Sequence, residues 1–211
     1  MTQPALLARS TKLMKKVKPW SVRKIKKGMH LSDKLAELNH ERNQAWGEPF
    51  TEDNARQAML MFAGDVYVGL DAGTLDAEAM AWAQEHVGIL SGLYGLLRPL
   101  DLIQPYRLEM GNKLVNLYDF WGNLIDEAVG DQVVVNLASN EYSKVMGKRD
   151  MVTPKFKDVK DGKARTISFF AKQARGAMTR WIIDNRVDDP EQLKECDVMG
   201  YRHTENFVFV R

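Results

Sequence analysis

Charged and aromatic side chains are concentrated in one apolar, glycine-rich stretch, residues 88–111. These side chains are Arg98, Asp101, Tyr106, Arg107 and Glu109, and they lie among leucines that favour burial. A buried charge is costly unless it is paired or hydrogen-bonded. The stretch therefore either binds a ligand in a cleft or forms an internal Arg/Asp/Glu network that locks an irregular connection.

A nucleobase or nucleotide pocket is one interpretation of this stretch, because such pockets are commonly built from Asn, Asp, Arg and an aromatic ring. Asp101 or Glu109 could act there as acid or base. Further candidates for the lining are Asn136, Ser139, Asn140 and Glu141. The sequence shows no nucleophile–base pair and no GxxxxGK[ST] phosphate loop. A binding protein is therefore favoured over an enzyme, and no catalytic residue is assigned.

A DNA-binding hairpin is the second interpretation. A helix-hairpin-helix module grips phosphates with the backbone N–H groups of a tight glycine turn and of the next helix, without reading bases. The sequence LSGLYG, residues 90–95, follows a predicted helix and resembles such a turn. Its alternative is a glycine-rich strand or turn buried in the core. The predicted contacts with double-stranded DNA in this stretch are Ser91, Gly92, Tyr94, Gly95, Arg98 and Arg107.

A second anion site is predicted on the helix that follows residue 167. Lys172 and Arg175 recur at helical spacing beside an apolar face, and Ser168 stands where a helix cap is expected. Free amides of the first turn and two cations could then converge on one anion. The alternative is a solvated basic face on a helix packed against a sheet.

Charge is distributed unevenly along the chain. The first 32 residues contain nine Lys and Arg and no acid, so the remaining residues carry −7 of the net +2. Such a basic segment either binds a phosphate polymer, contacts an acidic patch of the protein itself or is simply solvated. With Lys34 it could extend a phosphate-binding track whose affinity falls steeply with salt.

Bulk composition is that of an ordinary globular protein of 211 residues, and we expect one domain over 1–211. No apolar run reaches the roughly 20 residues of a membrane helix, and Cys196 is the single cysteine. These features favour a cytoplasmic monomer. The four histidines are scattered without a cysteine cluster, so we expect no metal site and no cofactor.

The periodicities predict an α+β fold with a central mixed sheet surrounded by about seven helices. Expected helices include residues 29–46 with Ser32 or Asp33 as cap, residues 51–62, and residues 171–186. Residues 64–70 and 132–138 are expected to be strands, the second fully buried. Residues 155–170 are expected to form a hairpin at Asp161-Gly162.

Several of these stretches together resemble the YaaA family of bacterial peroxide stress proteins. They are LSDKLAELN (31–39), GDVYVGL (64–70), the block at 90–111, FWG (120–122), VNLASNEY (135–142) and SFFAKQARGAM (168–178). The resemblance implies a cytoplasmic protein that limits hydrogen peroxide damage by keeping free intracellular iron low. It also implies binding of double-stranded DNA through a helix-hairpin-helix-like element.

One family feature has no counterpart here. Family members begin with a short strand and an S-P-A-K-T motif, which this sequence lacks, and residues 114–117 and 203–206 correspond to shorter loops. A site built partly from the lysine of that motif is therefore expected to be incomplete.

Overall fold

The computed structural model describes residues 1–211 and divides into two compact units. The first unit comprises Met1–Met61, Gly88–Gly130 and Ser139–Gly147, and the second comprises Phe62–Val87, Asp131–Ala138 and Lys148–Arg211. Helices and short strands occur in both, which confirms the predicted α+β class. The expectation of one domain stays a prediction.

The helices and strands are numbered in chain order. The helices are α1 (Leu7–Val17), α2 (Val22–Met29), α3 (Asp33–Ala45), α4 (Ala58–Met61), α5 (Asp65–Leu70), α6 (Ala77–His86), α7 (Leu117–Trp121), α8 (Leu124–Val129), α9 (Asn140–Ser143) and α10 (Ser168–Asp184). The strands are β1 (Arg56–Gln57), β2 (Ile89–Ser91), β3 (Gly95–Leu97), β4 (Leu102–Ile103), β5 (Lys155–Lys160), β6 (Lys163–Arg165), β7 (Arg202–His203) and β8 (Val208–Val210). Short 3₁₀ helices span Ala72–Thr74, Lys144–Met146 and Pro190–Glu195.

Three amphipathic helices open the first unit. In α1, Leu13, Met14 and Val17 are buried while the lysines between and around them remain largely exposed. Ser32 caps α3 as predicted, because its side chain accepts a hydrogen bond from the Leu35 N–H at 3.4 Å. Apolar spacing and a cap residue thus specify these helices locally.

The segment predicted as a DNA-binding helical hairpin is a β-hairpin instead. Strands β2 and β3 pair antiparallel, with Ile89 opposite Leu97 and Ser91 opposite Gly95. The turn faces the core, where the Trp121 indole N–H donates to the Gly92 carbonyl at 3.0 Å. The alternative interpretation, a glycine-rich turn in the core, is therefore the correct one.

The helix predicted over residues 51–62 is also wrong. Strand β1 occupies its middle and pairs with β4, and only the four residues of α4 are helical. Ala55, Ala58 and Met59 are buried there. Pairing with a strand about 45 residues away overrides the local helical preference in this segment.

In the second unit, residues 64–70 form helix α5, not the predicted strand. The contact with α10 explains the difference, because the two helices approach backbone to backbone. A Cβ on Gly176 would lie 1.8 Å from the Val66 carbonyl oxygen, so only glycine permits this approach. Tertiary packing decides the conformation of this valine- and tyrosine-rich segment.

The sheet of the second unit has the order β6-β5-β8-β7, with β5 and β8 parallel and the other pairs antiparallel. The predicted turn at Asp161-Gly162 is confirmed, since both residues have positive φ between β5 and β6. The predicted buried strand at 132–138 is wrong. Val135 makes only an isolated bridge to Val152, and Val133 is 76% exposed.

One face of this sheet and helix α10 enclose the core of the second unit. The buried residues are Phe156, Ala171, Ala174, Met178, Leu193, Cys196, Tyr201 and Phe209. Burial raises the pKa of the Cys196 thiol to about 12, so the thiol stays protonated at neutral pH. Cys196 is therefore part of the core packing.

Candidate nucleic-acid interface

The basic amino-terminal segment forms most of the exposed surface of helices α1 and α2. Of its nine cations, only Lys26 forms an ion pair, with Asp33 at 2.6 Å. Arg9 and Lys16 lie over the Phe120 ring, and the Arg9 guanidinium donates to the Phe120 carbonyl. The other cations have no carboxylate partner, so the positive charge of this surface is largely uncompensated.

Helix α2 places two of these cations side by side. Lys24 and Lys27 are three residues apart and therefore share one helix face, while Ile25 is fully buried. Gly28 continues the lysine face and lies against the side chain of Leu114, which occupies the space that a Cβ would need. The contact brings the neighbouring Lys113 to the same face.

These residues line a groove of about 330 Å³. Its walls are formed by Lys24, Lys27, Gly28, His30, Lys113 and Leu114. Lys24, Lys27 and Lys113 have no carboxylate partner, and the nearest acid in sequence, Asp33, is held by Lys26. The arrangement suits an anion, because three positive charges converge on one concave surface.

Sequence reasoning did not identify this groove. The excess of cations in the first 32 residues was a signal for Lys24 and Lys27, but Lys113 lies about 90 residues away. Only the contact between Gly28 and Leu114 brings it to α2.

Lys34 lies in the first turn of α3, directly after the connection from α2. Three residues, His30, Leu31 and Ser32, join the two helices. Lys34 is exposed, and the amides of a helix amino terminus favour a negative charge. The predicted residue Lys34 is thus placed where helix geometry assists anion binding.

The residues predicted in the 91–95 turn are buried. Ser91, Gly92, Tyr94 and Gly95 all lie in the core of the first unit, and Tyr94 is 0% exposed. The Trp46 indole N–H and the Gln104 N–H donate to the Tyr94 hydroxyl oxygen at 2.9 and 3.1 Å. Burial raises the pKa of this phenol above its usual range. These residues offer no surface to a duplex.

Asp101 anchors the segment beside Arg98. Its carboxylate accepts hydrogen bonds from the Thr2 hydroxyl at 2.7 Å and from the Arg98 N–H at 2.8 Å. Burial raises the pKa of Asp101, while these hydrogen bonds oppose the shift. The Arg98 residue itself is exposed. Asp101 therefore has the environment of a structural carboxylate.

Arg107 is half-exposed and pairs with Glu109, with Nε and Oε1 2.8 Å apart. The Glu141 carboxylate accepts from the Gly111 N–H at 2.8 Å. Burial, with the nearby Glu141 carboxylate, raises the pKa of Tyr142 to about 12. The polar groups of this block are thus engaged with one another, as the internal-network interpretation predicts.

The nucleotide-pocket interpretation of the same block gains no cavity from the structure. A second cavity of about 200 Å³ is lined by Met1, Glu52, Ala55, Arg56, Gln57 and Leu102. Neither this cavity nor the lysine groove is lined by Arg98, Asp101, Arg107 or Glu109.

In the second unit, Lys172 and Arg175 lie on α10 as predicted. Lys172 is 3.5 Å from the Asp65 carboxylate, which offsets its charge. Burial lowers the pKa of Arg175, whose residue is half-buried. The predicted cap is wrong, because Ser168 is the first helical residue and Ile167 precedes it without a side-chain cap.

No group of three or more His, Cys, Asp or Glu side chains is arranged to hold a metal ion. None of the helices combines the length and apolar character that a membrane crossing requires.

Comparison with known proteins identifies relatives over the whole chain. The family model described as peroxide stress protein YaaA matches residues 1–207. A UPF0246 protein of Alteromonas mediterranea is 53% identical, over 97% of this chain and 85% of its own length. A UPF0246 protein of Neisseria gonorrhoeae is 50% identical, over 100% of this chain and 90% of its own.

Proposed function

The chain belongs to the YaaA family of peroxide stress proteins, and we propose that it acts by binding double-stranded DNA through backbone phosphates. The observation that supports this function most directly is the groove with three lysines that lack carboxylate partners. Phosphates neutralise such cations and release condensed counterions, which supplies most sequence-independent affinity.

The helix pair α2–α3 gives this charge a suitable framework. A three-residue connection joins the helices, the amino terminus of α3 carries Lys34, and Lys24 and Lys27 lie on α2. Lysines and helix amino-terminal amides fix a protein on the duplex without reading bases. We therefore assign the principal phosphate contacts to Lys24, Lys27, Lys34 and Lys113.

The residues proposed from the 90–111 block contribute unequally. Arg98 and Arg107 remain candidate contacts because both are accessible, although Arg107 is paired with Glu109. Lys172 and Arg175 are weaker candidates, since Asp65 offsets one charge and partial burial restricts the other. The buried residues of the 91–95 turn support the fold and are not assigned contacts.

The proposed function includes the limitation of free intracellular iron that the family resemblance implies. We assign this effect to an indirect consequence of DNA binding, and we place the protein in the cytoplasm with its DNA partner. A deletion strain should contain more chelatable iron after peroxide exposure than its parent, measured by electron paramagnetic resonance. Restoration by wild-type protein but not by Lys24→Ala/Lys27→Ala connects the two activities.

Fluorescence anisotropy with labelled duplexes of unrelated sequence tests the proposed binding. Wild-type protein should bind all of them with similar affinity, and Lys24→Ala/Lys27→Ala should bind each about tenfold more weakly, or about 1.4 kcal/mol. The matched control is Lys160→Ala/Lys163→Ala, which removes two exposed lysines beside the β5–β6 turn. Absence of duplex binding by the wild type, or equal losses in both variants, would overturn the assignment.

A further inference from the structure

The lysine groove has a shape that the internal phosphates of a duplex do not match. Internal phosphates lie on the convex outside of the double helix, and each is joined to a sugar on both sides. The groove is concave, with a volume of about 330 Å³. A group that protrudes from the end of a chain can enter such a space, whereas a phosphate within a continuous backbone meets only its rim.

The charge of the groove also favours a terminal phosphate. Lys24, Lys27 and Lys113 provide three positive charges that no carboxylate neutralises. A phosphodiester carries one negative charge, while a terminal phosphate monoester carries about 1.5 to 2 at neutral pH, with three acceptor oxygens. Charge-assisted hydrogen bonds from lysine are therefore more numerous and stronger for the monoester.

The remaining wall gives room for a sugar. Leu114 packs directly on Gly28, so this part of the groove is apolar and contains no charged side chain. The volume exceeds that of a phosphate group, and an apolar wall beside cations suits a nucleotide, whose charge lies at one end. Phosphate and sugar would thus contact different parts of one groove.

From shape, charge and lining together, we propose that the groove binds the terminal phosphate monoester of a nucleotide. The source is either the 5′-phosphate of a DNA end or a free nucleoside monophosphate. This inference rests on the proposed function, because it names the phosphate group that the same surface prefers. Lys24, Lys27 and Lys113 hold the phosphate, and Leu114 contacts the sugar.

Paired duplexes of identical length and sequence, with 5′-phosphate or 5′-hydroxyl ends, test this preference by anisotropy. Wild-type protein should bind the phosphorylated duplex about tenfold more tightly, and Lys24→Ala/Lys27→Ala should remove the difference. Lys160→Ala/Lys163→Ala should retain it. Thermal unfolding of each variant verifies that the fold persists.

A second arm separates the two sources of the phosphate. Isothermal titration with deoxyadenosine monophosphate, using deoxyadenosine as the matched ligand without phosphate, measures binding of the free nucleotide. Binding of the monophosphate that depends on Lys24 and Lys27, without an effect of duplex 5′-phosphate, supports the groove with a free nucleotide as its ligand. Equal affinity for both duplexes and no binding of the monophosphate overturn this inference but leave duplex binding intact. Absence of all binding overturns both.

Discussion

The side chain of Leu114 occupies the space beside the Cα atom of Gly28, where a Cβ would lie 2.4 to 2.6 Å from three Leu114 atoms. This contact holds the 113–114 segment against α2 and sets the position of Lys113 relative to Lys24 and Lys27. The charge of the groove thus depends on a residue that carries none.

Gly28→Ala should therefore weaken both stability and duplex binding. The added methyl group must displace Leu114, and such overpacking costs about 1–3 kcal/mol. Duplex affinity should fall although net charge is unchanged. Gly47→Ala is the matched control, since a Cβ there meets nothing within 4 Å. In a Gly28→Ala/Leu114→Ala double variant the two stability losses should be less than additive. Strict additivity, measured by urea unfolding, would contradict the contact.

Tyr94→Phe should reduce stability while leaving duplex affinity unchanged. Removal of the hydroxyl leaves the Trp46 indole N–H and the Gln104 N–H without their acceptor inside the core, which costs about 1–3 kcal/mol. Tyr118→Phe removes an exposed hydrogen bond to the Glu141 carbonyl, which water can replace, so it should cost less. A selective loss of duplex affinity in Tyr94→Phe would show instead that this residue contacts DNA.

Lys172→Ala/Arg175→Ala should lower duplex affinity less than Lys24→Ala/Lys27→Ala does. Asp65 already offsets the charge of Lys172, and Arg175 is half-buried, whereas the α2 lysines have no acidic partner. Anisotropy titrations of both variants at one salt concentration provide the comparison. An equal or larger loss in the α10 variant would transfer the principal contact to the second unit.

Alkaline pH should destabilise the protein through Cys196. Burial and the nearby Asp197 carboxylate raise the thiol pKa from 9.0 to about 12. Between these values the unfolded chain releases the proton and the native protein retains it, so stability falls as pH rises, by up to about 1.4 kcal/mol per unit. Urea unfolding at pH 8, 9 and 10 should show a steeper decline for the wild type than for Cys196→Ala. Parallel declines would contradict this origin.

Local signals in the sequence were sufficient for several elements. Ser32 specifies the start of α3, and Asp161-Gly162 specifies the turn between β5 and β6. Each depends on residues within about four positions of one another, which is the range over which caps and turns act.

Elements that depend on distant partners were mispredicted. Residues 65–70 contain β-favouring Val and Tyr, yet they are helical because α5 packs closely on Gly176. The 91–95 turn was assigned to DNA contact because its glycines suggested a phosphate-binding loop, but its amides and aromatic ring serve the core. Propensity and motif carry no information on which side of a turn faces solvent.

The site was predictable only in part for the same reason. The uneven charge of the first 32 residues identified the basic surface, and Lys34 was named as one of its members. The groove itself requires Gly28 to contact Leu114, a relationship between residues far apart in sequence. Its third lysine could therefore be assigned only from the fold.

The salt dependence of duplex binding tests the central claim most directly. Each lysine that neutralises a backbone phosphate contributes about 0.9 to the slope of log Kobs against log salt concentration. For Lys24→Ala/Lys27→Ala/Lys113→Ala we predict a slope about 2.7 smaller in magnitude than that of the wild type. A wild-type affinity independent of salt, or an identical slope in the triple variant, would contradict phosphate binding by these lysines.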